Sequence, residues 1–142
     1  MLMALGCGAI LPTQAAINFR LSKNVGGPVL AAFVSFAVGT IALLLYLGIS
    51  GQLNPRTLFG QPSPWWMWIG GLLGIFYVVG IVMLVPRLGV ALAFSLVVAG
   101  QAIMAVVFDH FGWLGVNIQH ITAGKIIGTL LLIAGVILIR KF

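Results

Sequence analysis

Apolar residues fall along this chain in five blocks, and polar residues collect mainly between them. The blocks cover about 1–19, 28–49, 65–85, 90–108 and 121–139. Each is close to the roughly 20 residues with which a helix, rising about 1.5 Å per residue, crosses some 30 Å of hydrocarbon. The breaks are well marked. RLSKNVGGP separates the first two blocks, with Pro28 suited to a first helical turn. SGQLNPRTLFGQPSP is the longest polar connection, PRLG is a tight reversal, DHFGWLGVNIQH joins blocks four and five, and RKF follows the last. No alternation of period two appears, so the spanning segments must satisfy their backbones as helices. The pattern predicts an all-α fold: a single domain over 1–142, built as an integral membrane bundle of five transmembrane helices.

Composition strengthens this reading. The chain is 62% hydrophobic and 6% charged, against about 25% charged residues in soluble domains. Seven Lys and Arg stand against one acid, but they sit at the ends of apolar blocks and form no stripe that could follow phosphates. No nucleic-acid partner is expected; the lipid bilayer is. The chain opens directly into apolar sequence without a basic leader, so no cleavable signal peptide is expected. Arg20, Lys23, Arg87, Arg140 and Lys141 fall on one side of the membrane, and Arg56 and Lys125 on the other. Five against two places the first side in the cytoplasm, with the N-terminus outside and the C-terminus inside. Trp65, Trp66, Trp68 and Trp113 fall on the outer side, as an aromatic belt does.

Small residues recur at helical spacing: Ala31, Ser35 and Gly39 in span two; Gly70 and Gly74 in span three; Gly124, Gly128 and Gly135 in span five. Close backbone approach drives helix association in lipid. The stripes fit packing within the bundle, and that of span five also fits contact with a second subunit.

Polar groups inside the spans are few. Gln14 and Asn18 are four residues apart and share a face of span one. Asn18 lies near the cytoplasmic end, shallow enough to reach headgroups. Tyr77 and Gln101 lie near the centres of spans three and four, with Ser35 and Ser95 at comparable depth. Gln14, Asn18, Ser35, Tyr77 and Gln101 form a sparse, uncharged set near the midplane, where transporter substrate sites are commonly found. Amides also act as interhelical glue, at about 1 kcal/mol each. Pro12 has no N–H to give the carbonyl of Gly8, and it weakens the helix there, which suits a hinge or a tolerated kink.

Absent groups narrow the function. No Asp or Glu lies within a span, whereas a proton-coupled exporter of cations uses a buried carboxylate. Asp109, His110 and His120 are expected as a solvated cluster on the outer loop. The two histidines and Cys7 lack metal-site spacing, and no catalytic triad, phosphate-binding loop or nucleotide fingerprint appears. No enzyme, metal or cofactor is expected.

GCGAILPTQAAINFRLSKNVGGPVLAAFVSFAVGTIALLL resembles the opening of the short, five-span YdcZ-like proteins of the drug/metabolite transporter superfamily. ITAGKIIGTLLLIAGVILI is similar to the last span across that superfamily. The resemblance implies an inner-membrane exporter, half of a ten-helix inverted-repeat transporter. Small multidrug resistance proteins, four-span relatives that pair antiparallel, carry an essential glutamate in a stretch like GAILAE. Here the region reads GAILPTQ, and Gln14 is only near that place. The departure argues against polyaromatic cations as substrates.

The expected function is therefore a half-size transporter, working as a dimer by alternating access, for a small neutral, zwitterionic or anionic metabolite. Its partner would be a second five-span chain, itself or a related one, antiparallel, with Gly124, Gly128 and Gly135 at the contact. The alternatives are a non-transporting subunit whose amides only pack helices, and a passive channel, for which no charged ring is visible.

Overall fold

The structure is a computed structural model that describes residues 1–54 and 64–142. Arg56, used in the charge count above, lies outside the described residues. The elements are α1 (Leu2–Val25), α2 (Pro28–Ile49), a 3-10 turn (Trp65–Ile69) leading into α3 (Gly70–Leu88), α4 (Val90–Phe111), a 3-10 turn (Trp113–Gly115) and α5 (Ala123–Lys141). Among the described residues, five helical segments, with Trp65–Leu88 taken as one, are long and apolar enough to cross a membrane. The fold is all-helical among the described residues.

Helix α1 runs past its apolar block, through Arg20 and Lys23, to Val25. Long basic side chains keep their charge in water while their stems lie along apolar surface, so they need not end a helix. What ends it is Gly26, which caps α1 in the left-handed conformation at φ 90°, its N–H bonded to the Ser22 carbonyl. Gly tolerates this φ because it has no Cβ. Pro28 then starts α2 at a position where a missing N–H costs nothing.

The chain divides into two compact units, Met1–Pro86 and Arg87–Phe142. In the first, α1 and α2 pack side by side as a hairpin. Ala15, Ala31 and Ala32 are buried, and Ala31 is 0% exposed, so small side chains let the two backbones approach closely. Gly74 on α3 faces the ring of Phe36 on α2, which a Cβ there would meet at 3.3 Å. This gives one of the predicted small positions a packing role. Val78, Ile81, Val82 and Val85 form a buried strip along α3.

In the second unit α4 packs against α5. Helix α4 continues to Phe111, three residues beyond its apolar block, and ends at Gly112 with φ 64°. A Cβ on Gly112 would lie 2.6 Å from Cγ1 of Ile118. The chain after α4 therefore folds tightly over the helix end. Thr122 caps α5 by accepting a hydrogen bond from the Lys125 N–H at 3.3 Å.

Candidate functional site

A groove of about 360 Å³ lies along α1, lined by Ala9, Ile10, Thr13, Gln14, Ile17 and Asn18, with Ser35 contributed by α2. Residues 10, 13, 14, 17 and 18 recur at helical spacing and so occupy one face of α1. Ser35 reaches the same groove because it lies one turn after the buried Ala31, within the α1–α2 contact. Three of the predicted polar residues, Gln14, Asn18 and Ser35, are thus brought together. Thr13 joins them, its hydroxyl donating to the Ala9 carbonyl at 3.0 Å one turn back.

Within the groove the two amides differ. Gln14 is exposed. Asn18 is 3% exposed, and its side-chain nitrogen makes no hydrogen bond. This departs from the expectation of a shallow residue reaching headgroups: Asn18 lies on the face of α1 that is packed within its unit, and burial there does not depend on depth. A buried donor left unpaired costs about 1–3 kcal/mol. Neutral hydrogen-bonding groups are interleaved with aliphatic Ile10 and Ile17, with no charged side chain in the lining. Such a surface can hold a small molecule by hydrogen bonds together with apolar contact. It offers no nucleophile–base pair.

Tyr77 belongs to the same unit, on α3, but does not line this groove; its hydroxyl is buried and also unpartnered. Gln101 is exposed on α4, in the second unit. Ser95 donates to the Ala91 carbonyl of its own helix at 2.8 Å. Pro12 sits inside α1, which continues through it as one helix. On α5, Gly128 and Gly135 face open space, Gly124 meets only the Thr122 hydroxyl at 3.9 Å, and the helix buries no residue.

The cluster of Asp109, His110 and His120 is not merely solvated. Because α4 extends to Phe111, Asp109 and His110 sit on its last turn. Lys125 on α5 makes an ion pair with Asp109 at 3.1 Å and also donates to the backbone and side-chain oxygens of Gln119, at 3.3 and 3.4 Å. The Gln119 N–H donates to the Asp109 carbonyl at 2.7 Å. The rings of His110 and His120 lie 6.1 Å apart, and His110 Nδ1 is buried without a partner. Among the described residues, no three His, Cys, Asp or Glu side chains are grouped to hold a metal ion. The pairing of Lys125 with Asp109 escaped sequence reading, although opposite charges at the facing ends of two successive spans are a usable signal.

Comparison with known proteins gives a consistent picture. Residues 1–138 match the family described as "Putative inner membrane exporter, YdcZ". The chain is 27% identical to the "Inner membrane protein YdcZ" of Escherichia coli (strain K12) over 143 residues, covering 99% of this chain and 92% of that protein. No solved structure matches.

Proposed function

The chain belongs to the YdcZ family, and on that premise we propose that it is a half-size transporter which moves a small metabolite across the inner membrane by alternating access. The observation that carries this reading is Asn18. Its unpartnered nitrogen, 3% exposed, belongs to a residue lining a groove in a membrane-spanning hairpin. A polar group that only packed helices would be paired with a neighbour; one that receives a ligand is unpaired until the ligand arrives. With Gln14 and Ser35 beside it and no charged group in the lining, the groove suits a neutral or zwitterionic solute, or an anion that keeps its charge in water.

Two chains would make the working unit. A five-span unit has an odd number of crossings, so a tandem copy enters the bilayer inverted, giving the in-plane pseudo-symmetry common among transporters. A lone chain recreates it by pairing with an antiparallel second chain, itself or a relative. The stripe Gly124, Gly128 and Gly135, on a helix with no buried residue, supports α5 as the contact. Tyr77 and Gln101 complete the proposed polar set, and Pro12 is the proposed hinge.

A thermal-shift screen of small neutral, zwitterionic and anionic metabolites against the purified full chain tests the reading. A hit should raise the melting temperature of the wild type and lose that effect in Gln14→Leu and Gln101→Leu, both still folded. Stabilisation that survives both substitutions would leave these amides as packing groups.

A further inference from the structure

A second concavity, about 530 Å³, opens beside the other end of α1, lined by Ala16, Phe19, Arg20, Lys23 and Asn24. We propose that it is a seat for the phosphodiester headgroup of an anionic phospholipid, held by Arg20 and Lys23.

The charge inventory of the whole chain motivates this. Its one acidic side chain is Asp109, and Asp109 is engaged by Lys125 at 3.1 Å. No second Asp or Glu exists to neutralise Arg20 or Lys23, so their counter-charge must come from outside the side chains of this protein. Depth identifies the source. The apolar block of residues 1–19, at about 1.5 Å per residue, accounts for about 28 Å, close to the thickness of the hydrocarbon core. Arg20 then stands at the hydrocarbon boundary, with Lys23 about one helical turn farther out, at headgroup level. Ala16 and Phe19 lie on the hydrocarbon side, where glycerol and the first acyl carbons run. The lining therefore changes along the helix axis from apolar to cationic, in the order that a phospholipid changes from chain to phosphate.

Local geometry favours a fixed seat over a diffuse field. Arg20, Lys23 and Asn24 follow one another at i, i+3 and i+4 on one face. Lys23 Nζ rests 4.5 Å from the centroid of the Phe19 ring, which holds the ammonium over a residue of the same lining. Arg20 supplies a planar fork that matches phosphate oxygens, and Lys23 a point charge. Arg140 and Lys141, at the end of α5, carry the same charge but are not among the residues lining this concavity, and so serve as an internal control.

The test uses the full chain in nanodiscs of phosphatidylcholine doped with phosphatidylglycerol, with retained lipid read by native mass spectrometry. Arg20→Gln/Lys23→Gln should lower phosphatidylglycerol affinity about thirtyfold, which is about 2 kcal/mol at 1.4 kcal/mol per tenfold. Arg140→Gln/Lys141→Gln should leave it within about threefold of the wild type. Arg20→Lys/Lys23→Arg should retain phosphatidylglycerol, which keeps the test decisive if the neutral variant folds poorly. Equal loss in both neutral variants would reduce the seat to unspecific attraction and overturn the proposal. So would displacement of the lipid by millimolar inorganic phosphate, which would mark a free-anion site. Unchanged lipid retention with loss of self-association in Arg20→Gln/Lys23→Gln would assign the face to a second copy instead.

Discussion

Replacing Asn18 by Leu separates a ligand-binding amide from a structural one by the sign of the stability change. Leu has nearly the same shape as Asn and no polar atom. In the ligand-free protein the Asn18 nitrogen is buried and unpartnered, so the substitution removes a desolvated donor whose cost is about 1–3 kcal/mol. It sacrifices at most one intramembrane hydrogen bond at the side-chain oxygen, about 0.6 kcal/mol on average. The balance favours Asn18→Leu by about 1 kcal/mol, a rise in melting temperature of about 3 °C on the scale of soluble domains of this size. Ligand affinity should move the other way. Loss of one neutral hydrogen bond is worth about 1 kcal/mol, so binding weakens by roughly fivefold to tenfold. Both quantities come from thermal unfolding in detergent, recorded with and without a stabilising metabolite. A variant that melts lower than the wild type and binds its ligand unchanged would refute the reasoning, because the amide would then be structural.

Three further expectations follow from other parts of the chain. Pro12→Ala restores an N–H to the middle of α1 and should slow transport while leaving equilibrium binding near normal; an unchanged turnover rate removes the hinge. Gly112→Ala places a Cβ 2.6 Å from Ile118 Cγ1 at a φ of 64°, and should destabilise the chain by about 2 kcal/mol, measured as a lowered melting temperature; a neutral result would contradict the tight fold-back after α4. In a Cys7→Ser background, Trp113→Cys or Arg140→Cys should be labelled from both sides of the membrane if chains pair antiparallel, and from one side only if every functional chain has the orientation set by its charge bias.

The five helices were readable because a bilayer demands about 20 apolar residues per crossing and leaves few alternatives. Their ends were less so. Apolarity marks where hydrocarbon stops, whereas a helix stops where its backbone is capped; α1 therefore outlasts its apolar block until Gly26, and α4 continues to Gly112. The same distinction shaped the site. The i, i+4 spacing of Gln14 and Asn18 places both amides on one face, the structure brings the predicted Ser35 to the same groove, and it adds Thr13. Depth along a span, however, says nothing of its azimuth. Tyr77 matches the amides in depth alone, and it is not among the residues lining their groove. Depth alone puts Asn18 within reach of headgroups, whereas in the fold it is buried. Asp109 and His110 resembled loop residues because charge breaks the apolar run, yet Lys125 and Gln119 hold Asp109 in an ordered network.

Transport itself is tested most directly by counterflow. Purified chain reconstituted into proteoliposomes is preloaded with the metabolite that raises its melting temperature most, and entry of the radiolabelled form is followed. The account predicts saturable accumulation that requires internal unlabelled metabolite and falls roughly fivefold to tenfold in Asn18→Leu at concentrations below saturation. Tight binding of the same metabolite with no entry above protein-free vesicles would contradict it.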